Sequence, residues 1–211
     1  MRYDWKEITS LAYMTLLELG VQEFPIVTKG IKLKGVVISS YQTYARITNT
    51  SLEQISLEYE FDDALLIKEL RPNLQLILYN KNKYNARLKH SLLHEIGHIK
   101  LNHKKHGERE EIEAHFFAAQ VNAPNIIIKA IAQRGYKVDS RCLIDCFGIS
   151  EESAQKKMEY LNKYSFEHKN DFDDTLLLQF AYFINTKFPN KTQYFHDDYF
   201  EELENERNNW W

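Results

Sequence analysis

The stretch NARLKHSLLHEIGHIKLNHKKHGEREEIEAHFFAAQVNAP, residues 85–124, decides how this chain is to be read. Its first half sets Leu88, Leu92, Leu93, Ile96 and Ile99 at a period near 3.6, which predicts an amphipathic helix that runs out at the turn from His103 to Gly107. Glu108 to about Val121 predicts a second helix, stopped by Pro124, which has no N–H to continue a helical ladder. Inside the first helix lies HEIGH. His94 and His98, four apart, share one helical face and can reach one ion, while Glu95 stands about 100° round the axis. Two imidazoles beside a carboxylate suit metal-assisted hydrolysis: zinc lowers the pKa of a water toward ~7 and the glutamate takes its proton.

A zinc site needs a third protein ligand. The extended pattern with Gly and His three and six residues beyond the second histidine is excluded, because Leu101 and Lys104 stand there. An antiparallel neighbouring helix across a short turn is the usual source of a carboxylate, and the next helix opens EREEIEAHFFAA. Glu113 is the first choice, since it precedes the small Ala114, where two helices can approach closely. Glu110 comes next, three residues away on nearly the same face, with Glu111 and His115 less favoured. Six of the eight histidines fall between His90 and His115. His90 extends the stripe of His94 and His98 and is expected on the helix surface. His103 and His106, in the turn, are expected either in solvent or against substrate.

Outward from this centre, Trp5, Ile8, Leu11, Ala12, Leu16 and Leu19 predict an N-terminal helix ending at Gly20. GVVISS (35–40), ISLEYEF (55–61) and LQLILYN (74–80) read as strands of a small, mostly antiparallel sheet, with part of 29–50 helical. Tyr79 and Asn80, at the end of the last strand, are candidates for pairing with an extended substrate. Residues 125–134 and 139–163 predict further helices, broken at Gly135 and Gly148. Residues 164–211 change in character, with ten acidic residues against four basic ones, a helix at 175–188, and a closing Trp210 and Trp211. They read as an acidic, aromatic appendage on a domain of residues 1–163 that is complete without it.

The 211 residues carry a formal net charge of -3 with 44% hydrophobic residues, so wholesale disorder and a bulk basic field for nucleic acid are excluded. No apolar run approaches a membrane span, the charged N-terminus does not read as a signal peptide, and Cys142 and Cys146 read as core thiols. A cytoplasmic, reducing setting is expected; oligomeric state is left open.

The strand LILYN, then NARLKHSLLHEIGHIKLNH, then EIEAHFFAAQVNAP resembles the ImmA/IrrE-like metallopeptidase family, with Val121 and Asn122 in place of the usual leucine pair and Asp62 and Asp63 where an Asp-Gly turn is common. LGVQEFPI near residue 22 and FGISEESAQKKMEYL (147–161) extend the resemblance to about residues 5–163, with 139–163 similar to a helix-turn-helix segment. The resemblance implies an α+β fold in which a helical bundle carries the site beside the small sheet. It also implies zinc on His94, His98 and Glu113, Glu95 as the base, and a helix-turn-helix transcriptional repressor as the protein cut, in stress or mobile-element control. Two rival classes are a DNA-binding regulator and a zinc-containing anti-repressor acting by contact. DNA binding is disfavoured because Glu151 and Glu152 open the helix that would meet phosphate.

Overall fold

The computed structural model describes residues 3–58, 63–71, 74–105, 107–163 and 169–191. Helix α1 (Trp5–Leu19) starts where the Asp4 carboxylate accepts from the Glu7 amide at 3.0 Å, and stops at Gly20, whose φ of 63° is the left-handed geometry that a residue without Cβ adopts cheaply. Its apolar face of Ile8, Ala12 and Leu16 is fully buried.

Strand β1 (Val36–Ser40), helices α2 (Tyr41–Thr48) and α3 (Leu52–Glu58), and strands β2 (Ala64–Arg71) and β3 (Leu74–Tyr79) follow. The sheet has the order β1-β3-β2 and is mixed: β3 runs parallel to β1 and antiparallel to β2. Two expectations are corrected here. The sheet is not mostly antiparallel, and of the segment expected as a strand over 55–61, Ile55 to Glu58 lie in helix α3 while 59–61 are outside the described residues. A capping box explains the helix, since the Gln54 amide donates to Ser51 Oγ (3.0 Å) while the Ser51 amide donates to Gln54 Oε1 (2.8 Å). Because side chains alternate along a strand, β3 buries both faces: Ile77 joins the main core, while Leu76 and Leu78 meet Tyr41, Ala45 and Ile55 under α2 and α3. As the central strand, β3 has no unpaired edge to offer a substrate.

Helices α4 (Asn85–Lys100) and α5 (Glu108–Asn122) pack as the antiparallel pair that the spacing predicts. Arg87 and Lys83 clasp Asp63 at the start of β2, and against the upward pull of burial they hold its carboxyl below the usual carboxylate range. Phe117, Ala118 and Val121 of α5 close on α1 in the main core. Helix α6 (Asn125–Gln133) follows Pro124, and the Tyr13 hydroxyl accepts from the Ile126 amide at 3.2 Å. Helices α7 (Ser140–Phe147) and α8 (Glu151–Lys163) flank a turn at Gly148, φ 60°.

The expected helix at 175–188 is two shorter ones, α9 (Asp173–Gln179) and α10 (Ala181–Lys187), joined at Phe180. Both are built into the main core. The Phe180 ring stacks on Phe24 at 4.7 Å, Gln179 Nε2 donates to the Leu16 and Val21 carbonyls (3.1 and 2.6 Å), and Arg134 donates to the Phe188 carbonyl (2.8 Å). The closing Trp210 and Trp211 lie outside the described residues, as do His106 and Asp62. The architecture is α+β, mostly helical around one small sheet.

Candidate metal centre

Helix α4 turns Leu92, Leu93 and Ile96 into the core, which leaves His94 and His98 facing α5. The approach of α5 is set by small residues. A Cβ on Gly97 would lie 3.0 Å from Phe117 and 3.3 Å from the Ala114 backbone, so any side chain here would push α5 back by a few tenths of an ångström. The imidazoles then converge, with Nε2 of His94 and Nε2 of His98 3.0 Å apart. The Glu111 carboxylate completes the group, at 3.1 Å from His94 Nε2 and 3.4 Å from His98 Nε2.

Glu113 is elsewhere. It is buried, at 3.2 Å from His103 Nε2, and accepts from Arg109 Nε at 2.8 Å. The physical reason is rotational phase. Residues two apart on a helix point about 200° from one another, so Glu111 and Glu113 cannot both face His94 and His98. The signal that could have found Glu111 lies in α5 itself. Ala114, Phe117, Ala118 and Val121 are its buried stripe, and stepping back three from Ala114 and seven from Ala118 lands on Glu111. Glu110, the other candidate, folds over Gly107, where its Oε2 would be 2.5 Å from an added Cβ. Glu95 is half-buried on α4, next to His94.

Do the donors suit zinc? Zinc bonds of ~2.0–2.2 Å to nitrogen and oxygen in a tetrahedron put neighbouring ligand atoms about 3.3–3.5 Å apart, close to the spacings here. The electrostatics agree. Burial, with His115 and His98 nearby, holds the pKa of His94 well below the ordinary histidine value, so that it stays a neutral imidazole, the form that ligates. Burial and His115 likewise push His90 down to about 4, and burial lowers His115. His94, Glu111 and His115 each place a potential ligand atom within 4.8 Å of the others. His90 is not a bare surface residue: its Nε2 lies 3.2 Å from His115 Nδ1. The site opens on the α5 side, because the Glu111 side chain is 41% exposed while His98 is 1% exposed.

Cys142 and Cys146 are free thiols, and burial pushes the Cys146 thiol up to about 12. Glu151 and Glu152 are exposed in the first turn of α8, where Lys156 pairs with Glu152 at 2.6 Å. No helix among the described residues is long and apolar enough to cross a membrane.

A family model described as the IrrE N-terminal-like domain, of a peptidase family, matches residues 45–159, more than half of the chain. The match runs from within α2 to within α8 and contains all of α4 and α5. No curated protein matches the chain.

Proposed function

The chain belongs to the IrrE N-terminal-like peptidase family, and on that premise we propose that it is a zinc-dependent endopeptidase, with His94, His98 and Glu111 as the metal ligands and Glu95 as general base. The observation that carries this reading is the convergence of two Nε2 atoms and the Glu111 carboxylate at 3.0, 3.1 and 3.4 Å. Three acceptor-bearing groups aimed at one point, with the His94 imidazole held neutral, ask for a cation between them. Glu113, matched to the third ligand by resemblance, gives way to Glu111 in this set.

Zinc bound there would polarise the scissile carbonyl and lower the pKa of a water toward ~7. Glu95, one residue from His94 and half-buried, accepts that water's proton and hands it to the departing amine. His115, exposed at the open side with its ring 4.3 Å from His94, offers a neutral N–H to the substrate carbonyl. The protein partner proposed is a helix-turn-helix transcriptional repressor, cut to derepress stress or mobile-element genes. That part rests on the family resemblance, and it puts the site of action in the cytoplasm. DNA is not proposed as a ligand, since the exposed Glu151 and Glu152 would face phosphate.

Glu95→Gln tests the reading, because it keeps size and much of the hydrogen bonding while removing the proton acceptor. Compared with wild type at equal zinc content, on a repressor encoded beside its own gene, it should retain metal and lose at least ~10²-fold in cleavage rate. Equal derepression by both proteins without a cleaved fragment would favour an anti-repressor acting by contact.

A further inference from the structure

Helix α4 ends at Leu101, and the next residue, Asn102, has φ 53°. The Asn102 amide donates to the Ile99 carbonyl and the His103 amide to the His98 carbonyl, both at 3.0 Å. These are the paired bonds of a Schellman turn, which folds the second residue past the cap back onto the helix; the contact made there is commonly apolar. Here it joins two imidazoles. His103 Nδ1 lies 3.0 Å from His98 Nδ1, and His103 Nε2 lies 3.2 Å from Glu113 Oε2. Arg109 Nε donates to the other Glu113 oxygen at 2.8 Å, and Lys68 Nζ of β2 donates to the His103 carbonyl at 2.9 Å. His103 and Glu113 are both buried, so the chain of contacts is shielded from water.

We infer that His103 and Glu113 are a positioning relay that fixes the tautomer and orientation of His98 for metal binding, an inference that rests on the zinc reading above. The protons are assigned by the inner end. Glu113, held by Arg109, is an acceptor, so His103 carries its hydrogen on Nε2 and presents a bare Nδ1. That Nδ1 in turn accepts from His98, which must carry its hydrogen on Nδ1 and none on Nε2. Nε2 is the atom turned to His94 and Glu111. A hydrogen bond to the far nitrogen of a ligating histidine fixes its ring and raises its basicity. His94 has no such support, because its buried Nδ1 has no hydrogen-bond partner among the described residues. The relay therefore acts on one imidazole of the pair, and Glu113 serves the metal through two histidines.

The test uses the full-length chain and two readouts other than activity. Zinc affinity is measured by chelator competition for wild type, His98→Ala, His103→Phe and Glu113→Gln, and the histidine tautomers of the zinc-loaded wild type are read by nitrogen-15 NMR. Loss of zinc by His98→Ala, with a rise of about 10–100-fold in the dissociation constant of His103→Phe and a smaller rise for Glu113→Gln, supports the relay. The wild-type spectrum should show His98 with hydrogen on Nδ1 and His103 with hydrogen on Nε2, a result that needs no variant to fold. Zinc affinity within about two-fold of wild type for both His103→Phe and Glu113→Gln, or the opposite tautomer at His103, overturns the relay and leaves the zinc site standing. Zinc retained by His98→Ala instead overturns the metal reading itself.

Discussion

Lys157 on α8 is buried, and its Nζ has no hydrogen-bond partner among the described residues; it lies 5.9 Å from the centroid of the Tyr160 ring. Burial lowers its pKa to about 7 from an ordinary 10.5. With the native value below the unfolded one, the unfolded chain holds more protons between these limits, so this lysine costs stability that returns as pH rises. Stability should therefore climb between pH 7 and 8.5. Lys89, lowered to about 8 by burial, acts in the same direction, while the Cys146 thiol opposes only above about pH 9. Lys157→Met should be the more stable protein at pH 7 by about 1–2 kcal/mol and show a flatter pH dependence, read by urea unfolding of the metal-free proteins. An unchanged midpoint would place Nζ in water. Single residues were also where the sequence was least decisive about the site. The spacing of His94, Glu95 and His98 is local and legible, whereas the choice among Glu110, Glu111 and Glu113 depends on how α5 is rotated against α4. That phase is fixed by contacts of Ala114 and Phe117 across the interface, which no stretch of sequence displays by itself.

At the scale of elements, the α4–α5 pair rests on Gly97. A glycine inside a helix costs about 1 kcal/mol against alanine, so its presence here needs a reason of packing. The reason is the Ala114 backbone, 3.3 Å from where a Cβ would sit; backbone does not move aside as a flexible side chain does. Gly97→Leu should prise α5 away from α4, weaken zinc at least ~10-fold by drawing Glu111 off the histidines, and destabilise the fold by about 1–3 kcal/mol despite the gain in helix propensity. Wild-type zinc affinity in a folded Gly97→Leu protein would mean that the helix spacing is set elsewhere. Most elements declared themselves through period and punctuation, as α1 does between Asp4 and Gly20. One exception is instructive. Ile55 to Glu58 looked like strand because the isoleucine and the acidic alternation dominate a short window, yet the Ser51 and Gln54 capping box upstream commits the segment to helix. The parallel pairing of β1 with β3 was out of reach for another reason. It depends on where the chain returns after α2, α3 and β2, a long-range matter.

For the whole molecule, the issue is where the folded unit ends. Composition alone divides the chain at 163, and the acidic excess beyond it suggested an appendage. The matched family region, 45–159, ends near the same place. The packing runs on, however. Leu176, Phe180, Phe183 and Ile184 belong to the same buried cluster as Leu16, Phe24 and Phe147, with Phe24 lying between the rings of Phe147 and Phe180. Net charge could not reveal this, because of the ten acidic residues beyond 163 only Asp173 and Asp174 lie in α9 and none in α10, while the residues of these helices that join the core cluster are the apolar Leu176, Phe183 and Ile184. Burying each such large side chain stabilises a protein by about 1.5–3 kcal/mol, so four of them amount to much of the ~5–15 kcal/mol that holds a domain folded. A chain ended at residue 163 should therefore lose cooperative thermal unfolding and, with it, tight zinc binding, since α1 and the Phe24 loop would expose their inner faces. A chain ended at residue 191 keeps α9 and α10 and should retain a cooperative transition and zinc binding. Calorimetry and zinc titration of the two truncations decide the matter. A cooperative transition and full zinc binding in the chain ended at 163 would show that α9 and α10 merely cover a core that stands without them.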